Sequence, residues 1–99
     1  MQISRPLSMV VAGVRFKIMP VGLDTPLDVL KAKAKKAIES FKGGVFNDGV
    51  EEPIAFGLKA LVITFALPES EEVDLVQNKI GEIEGVSSVE LIDYRRAVG

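Results

Sequence analysis

Residues 50–67 read VEEPIAFGLKALVITFAL, an apolar run folded back on itself at a glycine. Val50 to Phe56 can extend as a strand, but Pro53 has no amide hydrogen to give to a ladder, so this strand belongs at a sheet edge. Gly57 permits a tight reversal into Leu58–Leu67, which is rich in β-branched and aromatic residues. There Leu61, Ile63, Phe65 and Leu67 share one parity and so one face. The expectation is a hairpin that joins an edge strand to a core strand.

Upstream of this hairpin, Asn47-Asp48-Gly49 reads as a turn. Before it, Leu27, Leu30, Ala34, Ala37, Ile38 and Phe41 recur at helical spacing, with Lys31, Lys35 and Lys36 on the opposite side. Thr25 is placed to cap this helix and Pro26 suits its first position. Asp28 complements the positive end of the helix dipole, and Gly43-Gly44 supplies a stop. Earlier still, from Met9, Val10, Ala12, Val14, Phe16 and Ile18 alternate with Val11, Gly13, Arg15 and Lys17, the pattern of a half-buried strand. Residues 1–8, MQISRPLS, have little period and are expected to be a tail, which leaves 9–97 as the folded domain.

Downstream, Pro68 ends the core strand and Ser70 is placed to cap a second helix, with Glu71, Glu72 and Asp74 in its first turn. Val73, Val76, Ile80 and Ile83 form its buried stripe. Gly81 inside that pattern costs about 1 kcal/mol relative to Ala, and Gly85 ends the helix. A charged last strand from about Ser87 to Arg95 places Val89 and Leu91 on one face and Ile92 and Tyr94 on the other.

The order β-α-β-β-α-β, with the two most apolar strands first and third, points to an α+β ferredoxin-like two-layer sandwich. Its antiparallel sheet has the order 4-1-3-2 and both helices on one face, leaving the other face open. This topology sends the Phe56-Gly57 turn, the Met19–Thr25 connection and the Gly85 turn to one end of the sheet. The start of strand one, the 42–49 loop and Arg95-Arg96 go to the other. A strand of seven or eight residues separates the ends by roughly 25 Å.

Composition narrows the chemistry. Ninety-nine residues with a formal charge of −2 make one small core and argue against a nucleic-acid binder relying on bulk positive charge. Residues 1–49 carry eight Lys/Arg against four Asp/Glu, and 50–99 carry four against ten, as expected for two helices with differently charged solvent faces. The chain has no cysteine and no histidine, which removes disulfides, thiol nucleophiles, thiolate metal sites and the commonest general base. No apolar run has the length of a membrane span and Met1–Ser8 lacks a signal-peptide core, so a cytoplasmic protein is expected.

The string Glu52-Pro53-Ile54-Ala55-Phe56-Gly57-Leu58 resembles the corresponding motif of the archaeal elongation factor 1-beta family. Three further features match in order: a first strand ending Met19-Pro20, the segment Ile83-Glu84-Gly85-Val86-Ser87, and a last strand ending Arg95-Arg96. The resemblance spans Met9 to Arg96 and implies a ferredoxin-like fold. It also implies guanine nucleotide exchange on elongation factor 1-alpha, the GTPase that delivers aminoacyl-tRNA to the ribosome, without active-site chemistry of the factor's own. Carried over, it assigns partner contacts to Pro53, Ile54, Phe56 and Gly57 at one end and to Arg95 and Arg96 at the other, where Arg96 or its neighbour Arg95 approaches the GTPase's magnesium site. Relatives often carry Lys at the position of Arg96, and residues 1–8 have no counterpart. No cofactor, no metal, no direct nucleic-acid contact and no membrane contact are implied, and a monomer is expected.

Other functions share this fold. A small-molecule-binding regulatory domain is the chief alternative, and a thermal-shift screen of amino acids tests it. An RNA-recognition domain needs stacking aromatics on its central strands, whereas Phe16 and Phe65 fall on the parities expected to be buried. An acylphosphatase-like enzyme needs a glycine-rich anion loop where MPVGLDTP has a single glycine.

Overall fold

The alternating segments form strands β1 (Val11–Pro20), β2 (Val45–Ala55), β3 (Leu58–Pro68) and β4 (Val86–Ala97). The segments of helical period form α1 (Leu27–Glu39) and α2 (Val73–Gly81). The computed structural model describes residues 11–97, so the expected tail and the start of the first strand at Met9-Val10 lie outside the described residues. The strands make one antiparallel sheet in the order β2-β3-β1-β4, which is the expected 4-1-3-2 order read from the opposite edge. Pro53 accordingly lies on an edge strand.

One parity of the two central strands builds the core. Ala12, Val14, Phe16 and Ile18 of β1 and Leu61, Ile63, Phe65 and Leu67 of β3 are buried against Leu30, Ala34, Ala37 and Ile38 of α1 and Val76 and Ile80 of α2. Both helices therefore cover the same face. Phe16 and Phe65 meet edge to face at 5.2 Å and 62°, a geometry worth about 0.5–1.5 kcal/mol beyond their buried area. The opposite parity of the central strands carries Gly13, Arg15, Lys17, Val62, Thr64 and Ala66 and no aromatic ring, so that face offers no stacking platform.

The helix ends depart from expectation. Thr25 does not cap α1. Its hydroxyl accepts the Gly22 amide at 3.2 Å and is committed to the preceding turn, while Pro26 takes the cap position and its carbonyl accepts the first helical bond from Leu30 at 3.2 Å. Ser70 does not cap α2 either. The Pro68 carbonyl accepts the Glu71 amide at 2.9 Å, which ties Ser70 into a turn and moves the cap to Glu72. Of the three acidic residues expected in the first turn, only Asp74 is there. Gly81 is the last residue of α2 and not an interior one, and the chain leaves it through tightened bonds such as Ile83 N–H to the Ile80 carbonyl at 3.1 Å. Gly85 closes the next turn at φ +100°.

Two strands also differ. Asn47-Asp48-Gly49 is not a turn between elements but part of β2. Pairing passes from Phe46↔Phe65 to Asp48↔Thr64, so Asn47 is the extra residue of a β-bulge, and the Asp48 carboxylate accepts the Gly49 amide at 2.8 Å. Residues that favour turns here serve a kink within a strand, and the expected 42–49 loop shortens because β2 already begins at Val45. In β4 the register slips between Arg15↔Asp93 and Phe16↔Leu91, which leaves Ile92 without a partner. Tyr94 then faces Val14 as Leu91 faces Phe16, so Leu91 and Tyr94, expected on opposite faces, share the helix side.

Candidate functional site

At one pole, Ala55 pairs with Leu58 and leaves Phe56-Gly57 as a two-residue hairpin loop. Both central residues have positive φ, 54° for Phe56 and 80° for Gly57, the pattern of the type I′ turn that matches strand twist. Gly57 adopts this conformation without cost, whereas Phe56 carries a Cβ that opposes it by roughly 1–2 kcal/mol. Among the described residues Phe56 is the one non-glycine in that region. Its ring gains nothing from the domain in return, because the residue is 98 % exposed. Pro53 stands opposite Lys59, and a second irregularity between Pro53 and Ala55 leaves exposed Ile54 without a partner at the edge. The four candidate residues of this motif thus sit together at the hairpin tip.

At the other pole, the Ile92 bulge decides where the arginines point. Arg95 lies opposite Gly13 and Arg96 opposite Ala12, so the side chains leave β4 on opposite faces of the sheet. Arg95 is on the open face with Asp93, whose carboxylate it meets at 3.2 Å. Arg96 is on the helix face, where it pairs with Glu69 just beyond the end of β3. Both guanidinium groups are largely solvated, so these pairs are worth at most about 1 kcal/mol each and leave the side chains available to another charged group.

The register fixes the separation of the poles. Arg96 is level with Ala12, and Ala12 with Leu67. The nine residue steps along β3 from Leu67 to Leu58 span about 30 Å. The structure therefore groups Pro53, Ile54, Phe56 and Gly57, groups Arg95 with Arg96, and keeps the two groups apart.

Sequence reasoning passed over Val21 and Leu23. They lie in a segment rich in glycine, aspartate and proline that reads as a connection, yet they are 67 % and 68 % exposed at the same pole as Phe56. Two large aliphatic residues in an otherwise polar loop were the available signal. Among the described residues no group of three or more acidic side chains could hold a metal ion, and no helix is long and apolar enough to cross a membrane.

Comparison with known proteins gives one consistent family. Residues 13–96 match the model of the EF-1 guanine nucleotide exchange domain. The elongation factor 1-beta of Methanosarcina barkeri is 39 % identical over 83 residues, covering 83 % of this chain and 92 % of that protein. The protein of the same name from Archaeoglobus fulgidus is 38 % identical over 80 residues, with 80 % and 89 % covered. That of Nanoarchaeum equitans is 36 % identical over 83 residues, with 82 % and 99 % covered.

Proposed function

The chain belongs to the EF-1 guanine nucleotide exchange domain family, and from that premise we propose that it grips elongation factor 1-alpha at two separated points, the Phe56 turn and the Arg95-Arg96 strand end. It promotes replacement of GDP by GTP on that GTPase during translation elongation. The factor itself makes and breaks no bond in the nucleotide; it acts in the cytoplasm by changing its partner's affinity.

A bound nucleotide leaves slowly because phosphate contacts and Mg²⁺ hold it. A factor speeds its loss only by binding the nucleotide-free partner more tightly than the loaded one, and each tenfold of that preference is about 1.4 kcal/mol. Phe56 supplies affinity as an apolar anchor in a pocket of the partner, where truncation of such a ring commonly costs about 2 kcal/mol or more. The arginines supply the preference, by placing positive charge where Mg²⁺ and the switch region hold the phosphates. Because Arg95 and Arg96 leave the strand on opposite faces, one of them enters that region and the other lines its rim.

The observation that carries this reading is Phe56 itself, a large ring held in a costly backbone conformation and in contact with water. Conformational cost without internal gain is expected where the gain comes from a partner. The test is GDP release from elongation factor 1-alpha with and without this protein. Acceleration is expected, and its absence removes the function. Unchanged release with both Phe56→Ala and Arg96→Ala removes the two-point assignment alone.

A further inference from the structure

The three most exposed large apolar residues among those described, Phe56, Leu23 and Val21, belong to two loops at one pole of the sheet. The loops touch. A Cβ on Gly57 would lie 3.8 Å from a terminal methyl of Leu23, so the leucine flanks the hairpin tip. The 21–25 loop is also firmly built. Val21 donates its amide to the Gly85 carbonyl at 3.0 Å, Gly22 donates to the Thr25 hydroxyl at 3.2 Å, and Thr25 donates back to the Gly22 carbonyl at 3.3 Å. A loop tied at these points holds its aliphatic side chains outward and prevents their collapse onto the core. Such ordering before contact reduces the entropy lost when a partner binds.

Between the loops lies a cleft of about 320 Å³, lined by Leu23 and Gly57 together with the exposed side chains of Asp28, Glu51 and Lys59. Lys59 and Glu51 meet at 3.5 Å and largely neutralise each other, and Asp28 takes part in no ion pair among the described residues. The cleft therefore presents the apolar Leu23 beside a carboxylate, at the first turn of α1, that has no side-chain ion partner among the described residues.

We infer that the 21–25 loop is a second half of the anchor site: Val21 and Leu23 extend the apolar contact made by Phe56, and Asp28 receives a lysine or arginine side chain of the GTPase in the adjoining cleft. This inference rests on the exchange reading above and adds a loop, an acidic residue and the chemistry of the partner surface to it. That surface is apolar with a basic side chain beside it. The charge complementarity aligns the docked molecules, and the apolar contact supplies most of the affinity.

The experiment follows release of fluorescent GDP from elongation factor 1-alpha against increasing concentrations of the full chain. In Val21→Ser/Leu23→Ser, the half-saturating concentration is expected to rise about tenfold while the maximal stimulated rate is retained. Thermal unfolding is expected to match wild type, because both side chains are in water. Asp28→Asn is expected to raise half-saturation about threefold at low salt and to converge on wild type as ionic strength increases. Half-saturation of the double variant within about twofold of wild type, in an assay where Phe56→Ala raises it, overturns this inference and leaves the exchange function standing. A salt-independent effect of Asp28→Asn overturns the assignment of a cationic partner group. Failure of the wild-type chain to accelerate release overturns the exchange reading and this inference with it.

Discussion

The Phe56-Gly57 turn and the Arg95-Arg96 strand end cap the same sheet, yet different forces place them. At the turn, backbone geometry does the positioning: a two-residue loop with positive φ at both positions fixes where the Cα–Cβ bond of Phe56 points, on a side chain with few rotatable bonds. At the strand end, register sends two long, solvated side chains to opposite faces and exposed ion pairs restrain them only weakly. A stiff apolar anchor delivers affinity only where it is placed beforehand. A charge on a flexible stem can act over several ångströms and adjust its position as Mg²⁺ moves. The proposed division of labour in exchange rests on that difference, with affinity assigned to the turn and discrimination between partner states to the arginines.

The sharpest way to break the comparison is to remove what separates the poles. Phe16→Ala or Phe65→Ala deletes one half of the central edge-to-face pair and is expected to cost about 3–5 kcal/mol of stability, read from denaturant unfolding, with both functions lost together. Phe56→Ala acts on one pole only. It is expected to weaken partner binding by about 2 kcal/mol in a titration of nucleotide-free GTPase, with little change in the maximal exchange rate. Phe56→Asn sharpens the point, because Asn tolerates positive φ. Stability is expected to rise by up to about 1 kcal/mol while binding falls, so one substitution separates what the fold prefers from what the partner needs.

Salt separates the poles by their different dependence on screening. Raising ionic strength from about 0.1 M to 1 M shortens the screening length from about 10 Å to 3 Å. The difference in stimulated GDP release between wild type and Arg95→Ala or Arg96→Ala is expected to shrink over that range, and the difference for Phe56→Ala to persist. The smallest effect is expected from Glu69→Gln, which removes the partner of Arg96. A change in unfolding free energy of about 1 kcal/mol or less is expected, because the Arg96 side of the pair is largely solvated and glutamine keeps the shape of the half-buried Glu69.

Much of the domain was legible because the signals are local. The parity of Ala12 to Ile18 and Leu61 to Leu67, the helical stripes and Pro53 each report on their own neighbourhood, and together they allow few arrangements. Exposure of Phe56 was not readable, since an aromatic residue between two apolar strands can equally well be core. Nor was the importance of Val21 and Leu23, whose surroundings look like an ordinary connection. The caps at Thr25 and Ser70 were misplaced because each residue has a competing local use in a turn, and only the assembled turn shows which use prevails.

Element order, the core faces and the assignment of the two motifs to opposite ends of the sheet were determined by the sequence alone, because strand and helix periodicities are properties of consecutive residues. Tertiary structure decided the direction of each arginine and the meeting of the 21–25 loop with the hairpin tip. A bulge exists only relative to the strand it pairs with. Ile92 becomes the unpaired residue when β4 is laid against β1, and that single slip sends Arg95 and Arg96 to the faces they occupy.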